Sequence, residues 1–245
     1  MNKYKVLIFD LDDTLINNQE NIRYAFKKMI ENMGRNYNSA DFNRWQEIDK
    51  NFWQDWQDGL IELPNHLKHE TGKKSKEFLD WLRAQRVLIY YDNKISLEKA
   101  IELSDIYMEA MTEVVIPITG AYETLEYLYN TKEYYILIAT NGPSIATKEK
   151  LNKINCLEFV EEVLSADMFG YMKPKKEFFE AIQERLNNYN NDEYLIIGDS
   201  LKSDVGFGKA CGFDSCWLDN GSEELTVDYK PTMIIKKLIN LKDIL

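Results

Sequence analysis

Apolar residues gather along this chain in two distinct ways. Short continuous runs stand at VLIF (6–9), YYILIA (134–139) and YLIIG (194–198), each β-branched or aromatic and each ending on polar residues or glycine. Runs of that kind predict strands buried on both faces of a parallel sheet. EEVLSA (161–166) fits the same pattern with fewer apolar positions. DSCWL (214–218) predicts a further strand, and TMII (232–235) a last edge strand before a closing helix. Between them, helical periodicity marks 120–130, 144–154, 175–187 and 201–211. Strand and helix in alternation predict an α/β protein, a doubly wound and mostly parallel sheet with a Rossmann-like core.

A second pattern fills the stretch between the first strand and the rest. From about residue 17 to 112 there is no clear strand run, and helical spacing covers 18–33, 41–57, 76–89 and 97–113. This reads as an all-helical block inserted into the α/β chain. The expected division is a discontinuous core of 1–16 and 113–245 with a helical domain at 17–112, crossed near Leu15–Asn18 and Glu113–Pro117. Trp45, Ile48, Phe52 and Trp56 share one face of the helix at 41–57, with Trp53 on its shoulder. Two readings are open there. The rings form the block's own core, or one or two of them stack on a planar ligand.

The chain has 245 residues, enough to bury a core without disulfide or metal staples. Its net charge of −11, with no dense Lys/Arg run, argues against a nucleic-acid polymer as partner. The three cysteines, Cys156, Cys211 and Cys216, form no CxxC pair, so free thiols in a reducing compartment are expected. His66 and His69 lie on a polar stretch read as a solvated helix face, leaving serine–histidine or cysteine–histidine chemistry little to build on. The first apolar run stops at Asp10, too short for a signal-peptide core, and no run approaches a membrane span. A cytoplasmic protein with no membrane partner is expected, and no heptad pattern demands more than a monomer or weak dimer.

Candidate chemistry sits at the ends of the predicted strands, where open α/β sheets bind ligands. Asp10-Leu11-Asp12-Asp13-Thr14 follows the first. Adjacent carboxylates are costly unless a cation or a shared proton relieves them. Thr140-Asn141-Gly142 follows the second strand and could cradle phosphate at a helix start, although Asn-Gly is also a common turn. Lys173-Pro174 lies in the loop after 161–166, and Gly198-Asp199-Ser200-Leu201-Lys202-Ser203-Asp204 follows the YLII run. Hard oxygen ligands so arranged suit Mg2+, with Mn2+ as a substitute.

Taken in order, these four elements resemble the haloacid dehalogenase-like hydrolase superfamily, motif by motif across the chain. The inserted helical block is similar to the cap that this family places after its first motif. Within the superfamily, DFNRWQEIDKNFWQDWQDG (41–59) and CGFDSCWLDN (211–220) resemble the noncanonical pyrimidine 5′-nucleotidases, which hydrolyse dUMP and dTMP.

The resemblance implies a Mg2+-dependent phosphomonoester hydrolase with a small phosphorylated partner, a nucleoside monophosphate. Asp10 would be the nucleophile, forming an aspartyl-phosphate, and Asp12 the general acid and base. Asp10, the carbonyl of Asp12 and Asp199 would hold the metal, with Asp204 in support. Thr140 and Lys173 would bind the phosphoryl oxygens, helped by the N–H groups of Leu11, Asn141 and Gly142. Trp45, Phe52, Trp53 and Trp56 are the candidate substrate pocket. An acid at position 12 favours phosphoryl transfer over the dehalogenase branch. A sugar-phosphate phosphatase or a phosphomutase would share all four motifs. A signalling receiver domain would be about half as long, and a non-catalytic phospho-ligand binder would not need every one of these polar positions filled.

Overall fold

The computed structural model describes residues 3–70, 74–186 and 188–245. Six strands, β1 (Val6–Phe9), β2 (Tyr135–Thr140), β3 (Glu162–Ser165), β4 (Tyr194–Gly198), β5 (Asp214–Leu218) and β6 (Met233–Ile235), form one sheet. Their order is β3-β2-β1-β4-β5-β6, and every neighbouring pair is parallel. The strand that carries Asp10 is therefore central, between those that carry Thr140 and Asp199.

Alternate residues of the buried strands feed two cores. Leu7, Phe9, Ile136, Ile138, Leu195 and Ile197 pack on one face with Leu125 and Leu128 of α5 (Ala121–Thr131) and Leu151 of α6 (Ser144–Lys153). Val6, Ile8, Leu137, Ala139 and Ile196 pack on the other with Phe178, Phe179 and Ile182 of α8 (Lys176–Arg185) and Phe207 of α9 (Gly206–Cys211). Two covered faces explain why the strand sequences are continuous rather than alternating. A short helix, α7 (Ala166–Phe169), follows β3, and α10 (Leu241–Ile244) closes the chain.

The chain divides into two compact units, Met1–Asn18 with Val115–Leu245, and Gln19–Val114. The second is built from α1 (Asn18–Asn32), α2 (Ser39–Gln57), α3 (Lys76–Tyr90) and α4 (Leu97–Glu113). Side-chain caps start three of these. Asn38 accepts from Asp41 N, Ser75 from Phe78 N and Ser96 from Lys99 N. The Asn38 cap is why α2 begins two residues before the apolar periodicity does.

Several expectations require correction. Residues 201–211 do not form one α-helix. A π-helical turn at Leu201–Val205 precedes α9, because the Asp204 carboxylate folds back to accept from Ser200 N. His66 and His69 lie exposed on a turn rather than a helix. The last residue of the helix expected over 175–187 lies outside the described residues. Trp45 is fully buried inside the helical unit, stacked on Phe26 at 5.9 Å and tilted against Tyr107 at 5.1 Å. Phe52 is likewise buried, with Leu67, Phe78 and Leu82. Both rings are the unit's own core and leave the candidate pocket. Trp53 and Trp56 are half-buried, Trp53 donating through Nε1 to Asp49 and Trp56 standing edge-on to Phe78.

Cys156, Cys211 and Cys216 are free and buried, and burial pushes each thiol up to about 12. Among the described residues no helix is long and apolar enough to cross a membrane.

Candidate active site

The site grows from the carboxyl end of β1. Asp10 leaves the strand still tied to the sheet, its N–H donating to Ile197 O at 2.9 Å. The chain then turns sharply. Leu15 and Ile16 both donate to Leu11 O, and Asp13 takes a left-handed conformation at φ 61°. This turn sends the two carboxylates of the Asp-x-Asp pair apart. Asp10 Oδ1 accepts from Lys173 Nζ at 2.8 Å, whereas Asp12 Oδ1 accepts from Lys150 Nζ at 2.9 Å.

Lys173 is almost wholly buried and bridges two acids, reaching Asp204 Oδ1 at 2.7 Å as well. Its backbone is held by Asn141, whose Oδ1 accepts from Lys173 N at 2.7 Å and whose Nδ2 donates to Lys173 O at 3.1 Å. The Lys173–Pro174 peptide is cis. Burial works against the charge on Lys173, but Asp10 and Asp204 outweigh it and leave the ammonium more basic than usual.

Asp199 leaves β4 and is fixed by four hydrogen bonds from three residues. Thr14 Oγ1 accepts from its N–H at 3.0 Å and donates to its Oδ1 at 3.3 Å, Trp217 Nε1 donates to its carbonyl at 2.7 Å, and Asn220 Nδ2 donates to its Oδ2 at 3.2 Å. Asp204 comes so close to the end of β4 that a Cβ on Gly198 would lie 2.1 Å from its Oδ2. Only glycine fits there.

One oxygen from each of Asp10, Asp199 and Asp204 lies within 4.8 Å of the others. Burial, then the neighbouring acids, push Asp199 up to about 8. Burial raises Asp10 against the opposing pull of Lys173, to about 7. Three carboxylate oxygens this close, with one lysine among the described residues between two of them, are under-neutralised. The donor set is all oxygen and suits a hard dication.

Of the residues singled out by sequence, Asp10, Lys173, Asp199 and Asp204 converge directly. Thr140 lies one strand over at the end of β2, its Oγ1 accepting from Gly142 N at 3.0 Å. The Gly142 N–H, expected beside the phosphoryl oxygens, donates in this structure to Thr140. Asn141 serves Lys173 with its side chain.

Two participants were missed. Thr14 stood in the motif without a role. Lys150 belongs to no motif, although the periodicity of α6 puts it on the buried face with Thr147 and Leu151. A lysine on a buried face needs a carboxylate partner, and that was the available signal.

The sequence profile of the haloacid dehalogenase-like hydrolases matches residues 4–212. The chain belongs to this family. HAD-hydrolase YfnB of Bacillus subtilis is 25% identical over the full chain and 97% of its own length. Its crystal structure, bound to magnesium, superposes with a TM-score of 0.82 at 23% identity, covering 99% of both chains. Pyrimidine 5′-nucleotidase YjjG of Escherichia coli is 24% identical over 99% of this chain and 98% of its own. Glyceraldehyde 3-phosphate phosphatase of Pyrococcus furiosus is 28% identical over 100% and 94% respectively. This haloacid dehalogenase-like hydrolase thus matches its relatives from end to end, the helical unit included.

Proposed function

We propose that the protein is a Mg2+-dependent phosphomonoester hydrolase that works through an aspartyl-phosphate on Asp10, with pyrimidine (deoxy)nucleoside 5′-monophosphates as its substrates. The observation that carries the reading is the buried Lys173 bridge between Asp10 and Asp204, beside Asp199, at the end of the central strand. The relatives named as phosphatases and 5′-nucleotidases support it.

Asp10, Asp199 and the carbonyl of Asp12 would hold Mg2+, with Asp204 in support and Mn2+ as a replacement. When bound, the ion neutralises the facing negative charges of carboxylate and phosphoryl group. A carboxylate oxygen of Asp10 attacks phosphorus as the ester P–O bond breaks, and Asp12 gives its proton to the departing oxygen. A water oxygen then attacks the same phosphorus, Asp12 takes its proton, and the bond to Asp10 breaks to release inorganic phosphate. Lys173 supplies fixed positive charge for the equatorial oxygens. Thr140, whose Oγ1 already accepts from Gly142, has its hydroxyl proton left to donate.

A second reading has its own support. The relatives named glyceraldehyde 3-phosphate phosphatases are 26–28% identical and the named nucleotidases 24%, so a small sugar-type phosphate is the second reading. Phosphate release from nucleoside and sugar monophosphates, with Mg2+ and with chelator, beside Asp10→Asn, separates the two. Preference for dUMP or dTMP supports the nucleotidase reading, and preference for sugar phosphates replaces it. Turnover that survives in the Asn variant removes the mechanism.

A further inference from the structure

Lys150 has no place in the scheme above, yet its position is unusual. It stands in the middle of α6 with a side chain only 6% exposed. Burying an ammonium is expensive unless a carboxylate and further acceptors replace its water. Here the carboxylate is Asp12, at 2.9 Å from Oδ1, and the second acceptor is Asn18 Oδ1, at 3.4 Å. The chain thus places one buried cation on Asp10 and Asp204, and a different one on Asp12.

The contact is one-sided. Lys150 takes Oδ1 of Asp12, while Oδ2 lies 3.7 Å from where a Cβ on Gly142 would stand, a point that is 3.4 Å from the Thr140 hydroxyl oxygen. A carboxylate with 30% exposure at a turn would otherwise rotate about its terminal bonds. Anchoring one oxygen fixes the direction of the other. Gly142 matters here too, because its missing side chain keeps the space beside Oδ2 open.

We propose that Lys150 is a positioning residue for proton transfer: by holding Oδ1 of Asp12 it dedicates Oδ2 to the reacting oxygens at the end of β2. The inference rests on the reading of Asp12 as general acid and base. In the first step Oδ2 carries the proton that passes to the leaving oxygen as its bond to phosphorus breaks. In the second the same oxygen receives the proton of the attacking water. Lys150 neither gains nor loses a proton in either step.

The test uses the full-length protein with two probes, glycerol 2-phosphate, whose alkoxide needs a proton on departure, and p-nitrophenyl phosphate, whose phenolate does not. Lys150→Met is expected to lower kcat on glycerol 2-phosphate about 10- to 100-fold, a part of what general acid catalysis supplies, with KM unchanged. The first-turnover release of p-nitrophenolate should change by less than about 3-fold, since only acid catalysis is impaired. Lys150→Arg, which keeps the charge and a donor, should recover most of the loss. In Asp12→Asn the further change Lys150→Met should cost nothing, because residues that act as one unit are not additive.

Equal losses on both probes, a raised KM, or multiplicative losses in the double variant would overturn the proposal. So would loss of activity in step with the melting temperature, which would make Lys150 a strut between α6 and the turn. Full activity of Asp12→Asn on glycerol 2-phosphate would instead remove the reading of Asp12 beneath it.

Discussion

Lys173 Nζ stands 2.8 Å from Asp10 Oδ1, with both side chains withdrawn from water. The pair is structural as well as chemical. Lys173→Met would leave Asp10 and Asp204 facing each other without a counter-charge. Breaking a buried ion pair from one side costs about 3–5 kcal/mol. Urea unfolding should show a loss of that size with no turnover left, whereas Asp10→Asn, which removes a charge that burial disfavours, should be inactive but no less stable than the parent without metal.

The same crowding sets a pH dependence. Asp10 and Asp199 are raised from an ordinary 3.8 to about 7 and about 8. Above 3.8 the unfolded chain has lost these protons while the folded chain keeps them, so stability declines as pH rises until both folded groups have ionised near 8. Bound Mg2+ must displace those protons, so its stabilising effect should grow over the same window. Melting curves with Mg2+ and with chelator at about pH 5.5 and about pH 8.5 check this. A gain from Mg2+ that is equal at both would contradict it.

Gly198→Ala puts a Cβ where Asp204 Oδ2 already lies. The aspartate must then move away from Lys173. Overpacking of this kind costs about 1–3 kcal/mol, and the displaced carboxylate should cost about 100-fold in kcat. Retained activity would mean that Asp204 is not needed in its observed place.

Trp45→Ala should destabilise the protein by about 3–5 kcal/mol through the cavity it leaves among Phe26, Tyr90 and Tyr107. Trp45→Phe should be far milder, because among the described residues the buried Nε1 has no hydrogen-bond partner to lose. KM for the preferred phosphomonoester should be unchanged in Trp45→Phe. A rise would return this ring to the substrate pocket.

The strands were legible because burial on both faces leaves a continuous apolar signature, and VLIF, YLIIG and DSCWL fall on β1, β4 and β5 without shift. That Asp10, Lys173, Asp199 and Asp204 serve one site is what the family resemblance of their motifs implies; their spacing alone does not bring them together. What escaped depended on direction rather than identity. Periodicity put Trp45 and Phe52 on one helical face but could not tell an interior from a pocket, since both are apolar. The turn after Asp10, which sends Asp12 to Lys150, hangs on one left-handed residue, Asp13, that no hydrophobic pattern marks. The Gly142 N–H donates to a side chain two residues away, a local bond that the Thr-Asn-Gly pattern does not announce.

The double hydrogen bond between Asn141 and the backbone of Lys173 works as a ruler. It measures the lysine's place from the end of β2 and not from the chain that leads up to it. The short loop after α7, Gly170–Met172, can therefore drift in sequence while the ammonium keeps its address. The active centre is insulated from that loop, and the loop is free to diverge first.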